Sequence, residues 1–122
     1  MSILLDSVIL IDHLNGVRTA TRYLESLEEA SISVITRAEV LAGLTPAAVP
    51  PVMEWLDRYP TFVIDRRTAD LAADLRRLHK RKLPDAFQAA VAQQHGLQLA
   101  TRNTKDFPPR RHSFVVVPYV VR

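Results

Sequence analysis

The sequence predicts a three-layer α/β/α sandwich with a mainly parallel sheet of roughly five strands. Three observations carry this. Short apolar runs alternate with helical segments along the whole chain. The 122 residues suffice for one core and are too few for two, so a single domain over 1–122 is expected. Apolar residues make up 48% and charged residues 24%, the proportions of an ordinary globular chain.

Ile3–Leu5 is the first strand and ends at Asp6. Residues 7–14 read as a helix closed by Gly16, and residues 18–29 as an amphipathic helix with Tyr23, Leu24 and Leu27 inward. Ile32–Ile35 is the second strand, followed by a helix from Thr36 to Leu41 with Gly43 as its stop. Pro50-Pro51 open a helix over 50–58, with Met53, Trp55 and Leu56 available for packing. Phe62–Ile64 is the third strand. Residues 67–82 form the clearest helix, with Leu71, Leu75 and Leu78 on one face and Arg76, Arg77 and Lys80 opposite. Pro84 interrupts, and an alanine-rich helix follows over 85–95, ended by Gly96. Leu97–Ala100 and Phe114–Val117 are the fourth and fifth strands.

Cysteine is absent, which removes disulfides, thiolate metal sites and cysteine nucleophiles, and suits a cytoplasmic setting. The longest apolar run, Phe114–Val121, contains Pro118 and falls well short of the roughly 20 residues of a membrane span, so no membrane partner is expected. Glycine occurs only at 16, 43 and 96, so no phosphate-binding glycine loop exists. The four histidines lack metal-ligand spacing, and no Gly-x-Ser-x-Gly elbow is present.

Charge is unevenly placed. Residues 1–61 carry four basic and eight acidic side chains; residues 62–122 carry twelve and five. Thirteen of the sixteen basic residues are Arg, which pairs bidentately with phosphate. A polyanion such as RNA is a fitting partner. Arg76, Arg77, Lys80, Arg81, Lys82 and Arg102 are the candidates to grip its backbone, and a solvated basic face is the alternative.

Ligands of an open parallel sheet bind outside the carboxyl ends of its strands. Asp6 follows the first strand, Glu39 lies one helical turn after the second, and Asp106 lies in the loop after the fourth, near Thr101 and Asn103. Asp85 opens the helix feeding the fourth strand and joins them if that helix starts on the same edge. Converging carboxylates repel one another, and a hard divalent cation removes the conflict. Oxygen ligands alone favour Mg²⁺ or Mn²⁺. Each acid also has a purely structural role available: Asp6 as a helix cap, Thr36 to Glu39 as a capping box, Asp85 in a first helical turn, Asp106 in a turn before Phe107-Pro108.

Four blocks now stand in order: Leu4-Leu5-Asp6-Ser7-Val8-Ile9-Leu10-Ile11-Asp12, Ser33-Val34-Ile35-Thr36-Arg37-Ala38-Glu39-Val40-Leu41-Ala42-Gly43, Leu83-Pro84-Asp85-Ala86-Phe87-Gln88-Ala89-Ala90, and Leu99-Ala100-Thr101-Arg102-Asn103-Thr104-Lys105-Asp106-Phe107. They resemble the PIN-domain ribonucleases, specifically the VapC-type toxins of bacterial toxin–antitoxin pairs. The resemblance runs nearly the full chain. It implies a Mg²⁺- or Mn²⁺-dependent endoribonuclease, silenced by a cognate antitoxin and acting as a homodimer. It implies Asp6, Glu39 and Asp85 as the core metal-binding acids. Some members place an acid where this chain has Asn103, so Asp106 is assigned as the fourth acid, with Asn103 and Thr101 as supporting polar groups. Ser7 keeps the hydroxyl of the common Asp-Thr-Asn opening, while Val8 replaces its amide. Two alternatives are a catalytically silent RNA- or protein-binding PIN domain and a phosphoacceptor receiver domain. The receiver would use Asp65, after the third strand, with Thr101 and Lys105. It lacks the acidic pair after strand one, and Lys105 comes before strand five rather than after it.

Overall fold

The computed structural model describes residues 2–121. Strands β1 (Ile3–Leu5), β2 (Ala30–Ser33), β3 (Thr61–Phe62), β4 (Gln98–Ala100) and β5 (Val115–Val116) form one parallel sheet in the order β3-β2-β1-β4-β5. Helices α1 (Ser7–Leu14), α2 (Arg18–Ser26), α3 (Val34–Ala42), α4 (Val49–Leu56), α5 (Arg66–His79) and α6 (Leu83–Gln94) connect them, with a 3₁₀ turn at Pro46–Ala48. Among the described residues no helix is long and apolar enough to cross a membrane.

The layers follow from the path of the chain. From β1 to β2 to β3 it steps across the sheet in one direction, and the intervening helices share one face. It then returns past β1 to β4, so right-handed crossovers place α5 and α6 on the other face. Strand periodicity feeds both cores. Leu4 and Leu99 pack with Ala72, Leu75, Ala89 and Phe107; Ile3, Leu5, Ile32 and Ala100 pack with Ile9, Leu10, Val40 and Leu56. A fully buried leucine contributes about 1.5–3 kcal/mol, so the consecutive pair Leu4 and Leu5, one on each face, anchors both layers.

Several boundaries differ from the sequence expectation, each for a local reason. β2 is Ala30–Ser33 rather than 32–35. Ser33 is extended and its hydroxyl accepts the Thr36 N–H at 3.2 Å, so Val34 and Ile35 enter the first turn of α3 despite their β propensity. This N-cap displaces the capping box expected from Thr36 to Glu39. α2 stops at Ser26 rather than 29, because Leu27 is already extended. β3 is Thr61–Phe62 rather than 62–64.

α5 runs over 66–79 rather than 67–82, and Lys80 leaves it in the left-handed conformation (φ 51°) that glycine normally supplies. Leu71 and Leu75 pack as expected, but Leu78 is 74% exposed and does not belong to the buried face. Pro84 sits inside the start of α6 rather than before it, where no N–H partner is needed. On α4, Leu56 is buried and Trp55 packs partly, while Met53 remains exposed.

Candidate active site

β1 and β4 are neighbours at the point where strand order reverses, and the crevice beyond their carboxyl ends is the natural ligand site of such a sheet. Asp6 and Thr101 are the first residues past these two strands. The Asp6 N–H donates to the Ala100 carbonyl at 3.0 Å, extending the β1–β4 ladder. The Asp6 carboxylate caps α1 by accepting the Ser7 N–H at 2.9 Å. Thr101 donates its hydroxyl to Asp6 Oδ2 at 2.6 Å. Thr101 Oγ1 in turn accepts the Asn103 N–H at 3.0 Å, and Asn103 Nδ2 donates to Asp106 Oδ2 at 2.8 Å. Asp6, Thr101, Asn103 and Asp106 thus form one continuous polar chain.

Gln88 was not singled out from sequence and sits at the centre of the buried end of this chain. Its Nε2 donates to Thr36 Oγ1 at 2.6 Å and reaches Asp6 Oδ1 at 3.4 Å; its Oε1 accepts the Ser33 hydroxyl at 2.6 Å. The Thr36 hydroxyl in turn donates to the Leu5 carbonyl at 3.1 Å. One glutamine therefore joins α6 to α3 and β1. Its signal in the sequence is a polar residue inside the alanine run Ala86–Ala92, one helical turn after Asp85 and on the same face.

α6 leads into β4, which runs parallel to β1, so α6 begins on the carboxyl edge and carries Asp85 there in its first turn. The four acids feel one another. Burial pushes the Asp6 carboxyl up against the lowering pull of Thr101, Gln88 and the Ser7 N–H, with Asp106 adding to the rise. Burial pushes Asp85 up to about 6, reinforced by the charges of Asp106, Asp6 and Glu39. Glu39, on α3, is likewise raised by burial and by Asp6, against the opposing effect of Ser7. Among the described residues, no three His, Asp or Glu side chains stand close enough to hold an ion as they are placed. The donor set is nonetheless all carboxylate oxygen with mutual repulsion, the chemistry that suits a hard divalent cation.

A cation does stand beside the acids. Arg81, just ahead of α6, is 6% exposed, and its guanidinium lies 5.3 Å from the Phe107 ring centroid. Its Nη2 is 2.8 Å from His112 Nε2, while its Nε and Nη1 have no partner among the described residues. Burial pulls this guanidinium below its usual range, opposed by the charges of Asp85 and Asp106. Burial also lowers His112, which fits a neutral imidazole accepting from Arg81.

The basic candidates lie apart. Arg76, Arg77 and Lys80 are exposed at the end of α5; Arg77 pairs with Asp74, and Arg76 Nη1 donates to the Arg81 carbonyl at 2.9 Å. Arg102 is engaged elsewhere: its Nε and Nη2 grip Asp12 Oδ2 and Oδ1 at 2.6 and 2.9 Å. Asp12 was also not singled out from sequence; its mark there is a single acid inside the apolar run of α1. Asp65 caps α5, accepting the Thr68 N–H and hydroxyl, both at 2.8 Å.

The model of the PIN domain family matches residues 3–109 of this chain. The chain belongs to the PIN-domain family. This membership displaces the receiver reading, and leaves Asp65 as a helix cap. Ribonuclease VapC10 of Mycobacterium tuberculosis is 40% identical over 114 residues, covering 87% of this PIN-domain chain and 86% of that protein. Among solved structures, a toxin–antitoxin complex from Klebsiella pneumoniae superposes with a TM-score of 0.88 at 38% identity, covering 98% of this chain and 99% of that one. FitAcB from Neisseria gonorrhoeae gives a TM-score of 0.75 at 26% identity, covering 95% and 97%.

Proposed function

We propose that this chain is a divalent-metal-dependent endoribonuclease acting in the cytoplasm as the toxin of a toxin–antitoxin pair, its 122 residues working as one domain. The observation that carries the reading is the hydrogen-bonded chain Asp6–Thr101–Asn103–Asp106 at the reversal point of the sheet, within electrostatic reach of Asp85. The similarity to Ribonuclease VapC10 and to a toxin–antitoxin complex supports both the activity and the partner. Asp6, Glu39, Asp85 and Asp106 would hold Mg²⁺ or Mn²⁺. When bound, such an ion lowers the pKa of water and stabilises charge on the leaving oxygen of a phosphodiester.

The protein's own groups prepare the carboxylates. Thr101, Gln88 and the Ser7 N–H fix the Asp6 rotamer before any ligand arrives, as supporting hydrogen bonds do in metal sites. Asn103 does the same for Asp106 from one side. Arg76, Arg77 and Lys80 offer positive charge to RNA along the end of α5. The same reading carries a homodimer, for which the apolar side chains exposed on α1 and α4, Leu14 and Met53, are available surface.

The test is cleavage of end-labelled total RNA by antitoxin-free protein with Mg²⁺, with Mn²⁺ and with chelator, beside Asp85→Asn. Discrete metal-dependent cuts that vanish in the folded variant are expected. Metal-independent cutting, or full activity in Asp85→Asn, would sink the reading. Co-production of the antitoxin should abolish the cuts.

A further inference from the structure

We infer that Asp12 is a positioning residue for the acidic site, acting through Arg102 on the loop that follows β4. The inference rests on the nuclease reading above for its consequence, though not for its geometry. Arg102 lies between Thr101, which donates to Asp6, and Asn103, which donates to Asp106. Its own side chain reaches Asp12 with two charge-assisted hydrogen bonds of 2.6 and 2.9 Å, and the Tyr119 hydroxyl donates to Asp12 Oδ2 at 2.8 Å. α1 therefore holds the loop at two points: Asp6 at its N-cap takes Thr101, and Asp12 near its C-terminal end takes Arg102.

The burial of the pair indicates which way it acts. The Asp12 side chain is 8% exposed and that of Arg102 35%. Asp12 is lowered chiefly by the Arg102 hydrogen bonds and further by Tyr119, overcoming its desolvation. A fixed bidentate fork of this kind restrains both partners in angle as well as distance. A solvent-facing phosphate grip would leave the guanidinium free; here it is bound to a buried acid, which a second segment also holds through the Tyr119 hydroxyl. The backbone ties, Thr101 N–H to Val116 at 3.0 Å and Phe107 N–H to Asn103 at 3.0 Å, leave the Arg102 side chain as the loop's link to α1 beyond Thr101.

The experiment compares wild type, Asp12→Asn, Arg102→Gln and the double variant, with Arg102→Lys as a conservative control. Three readouts are taken below the melting temperature of each. Amide hydrogen exchange of Asn103 and Phe107 reports the loop, with Leu75 on α5 as a reference for global opening. Mn²⁺ titration reports the acids, and single-turnover cleavage of end-labelled total RNA reports the chemistry. Faster exchange at Asn103 and Phe107 with Leu75 unchanged is expected in both single variants, with Mn²⁺ affinity down about 10–100-fold, the usual loss when a supporting partner of a ligand is removed. The double variant should be no worse than either single one. Equal acceleration at all three amides would reduce the pair to general stability and overturn the inference. Unchanged loop exchange and Mn²⁺ affinity, with single-turnover cleavage at sub-saturating protein slowed in Arg102→Gln alone, would overturn it in favour of a phosphate grip. If wild type neither binds Mn²⁺ nor cuts RNA, the nuclease reading fails, and the exchange data still decide whether Asp12 holds the loop.

Discussion

Thr101 donates to Asp6 Oδ2 at 2.6 Å, joining the ends of β1 and β4 across the reversal of strand order. The bond favours the carboxylate form of a buried acid whose surroundings push it the other way. Thr101→Val keeps the shape and removes the donor. A cost of about 1–2 kcal/mol is expected at pH 8. The cost should shrink as pH falls and Asp6, whose carboxyl is held above its ordinary range, takes up its proton and needs the bond less. Urea unfolding across a descending pH series checks this, and an equal loss throughout would contradict it.

Asp85 makes the opposite prediction in metal-free protein. Its carboxyl rises from 3.8 to about 6 on folding, so the folded state binds this proton more tightly than the unfolded state does. The associated stability is full below about pH 4 and is lost as pH rises through about 6. Asp85→Asn should therefore leave stability nearly unchanged at pH 3.5 and raise it above pH 7. Asp85 is only half buried, so solvent screening cuts the gain to about 1 kcal/mol. Thermal melts in chelator measure it. A variant that is both more stable and inactive would mark Asp85 as a residue kept for chemistry.

Gln88→Leu tests the buried polar junction. The change strands the Ser33 hydroxyl and removes a donor from Thr36 and Asp6. A loss of about 2–3 kcal/mol is expected, more than its volume change alone explains. Gln88→Glu should be worse at neutral pH, because it adds a charge beside Asp6. Denaturation midpoints for the two variants establish the order.

Lys80 separates stability from binding. Its φ of 51° is a conformation glycine adopts without strain. Lys80→Gly should stabilise the fold by about 0.5–1 kcal/mol, while removing one positive charge from the end of α5. If Lys80 meets RNA phosphate, the salt dependence of RNA binding should fall by about one charge. Melting and filter binding across a salt series read the two effects independently.

The fold class was legible because its signal is collective: apolar runs of strand length separated by helices leave few arrangements. Individual boundaries were less so. Val34 and Ile35 look like strand, yet Ser33 caps the helix ahead of them, a choice made by one hydroxyl. Leu78 looks inward by periodicity, but α5 ends one residue later and the Leu78 side chain is left exposed. The positions of Asp6, Glu39 and Asp106 after strands could be read from sequence, as could Asp85 at a helix start; the edge on which that helix begins needed the structure. Gln88 and Asp12 do not stand out because a lone polar residue within an apolar segment reads as noise until its partners, as much as 107 residues away for Asp12 and Tyr119, are brought to it; Arg81 reads as part of a basic surface run, yet it is buried.

β1 lies in the middle of the sheet, yet it is the first strand made, and its second neighbour, β4, is the fourth. The bond from Thr101 to Asp6 closes a separation of 95 residues. A nascent chain cannot finish this crevice while β4 is still inside the ribosome, whatever its earlier segments have achieved. Assembly of the crevice thus waits for a single late step of synthesis, and any fragment stopping short of β4 lacks Thr101, Asn103 and Asp106 altogether.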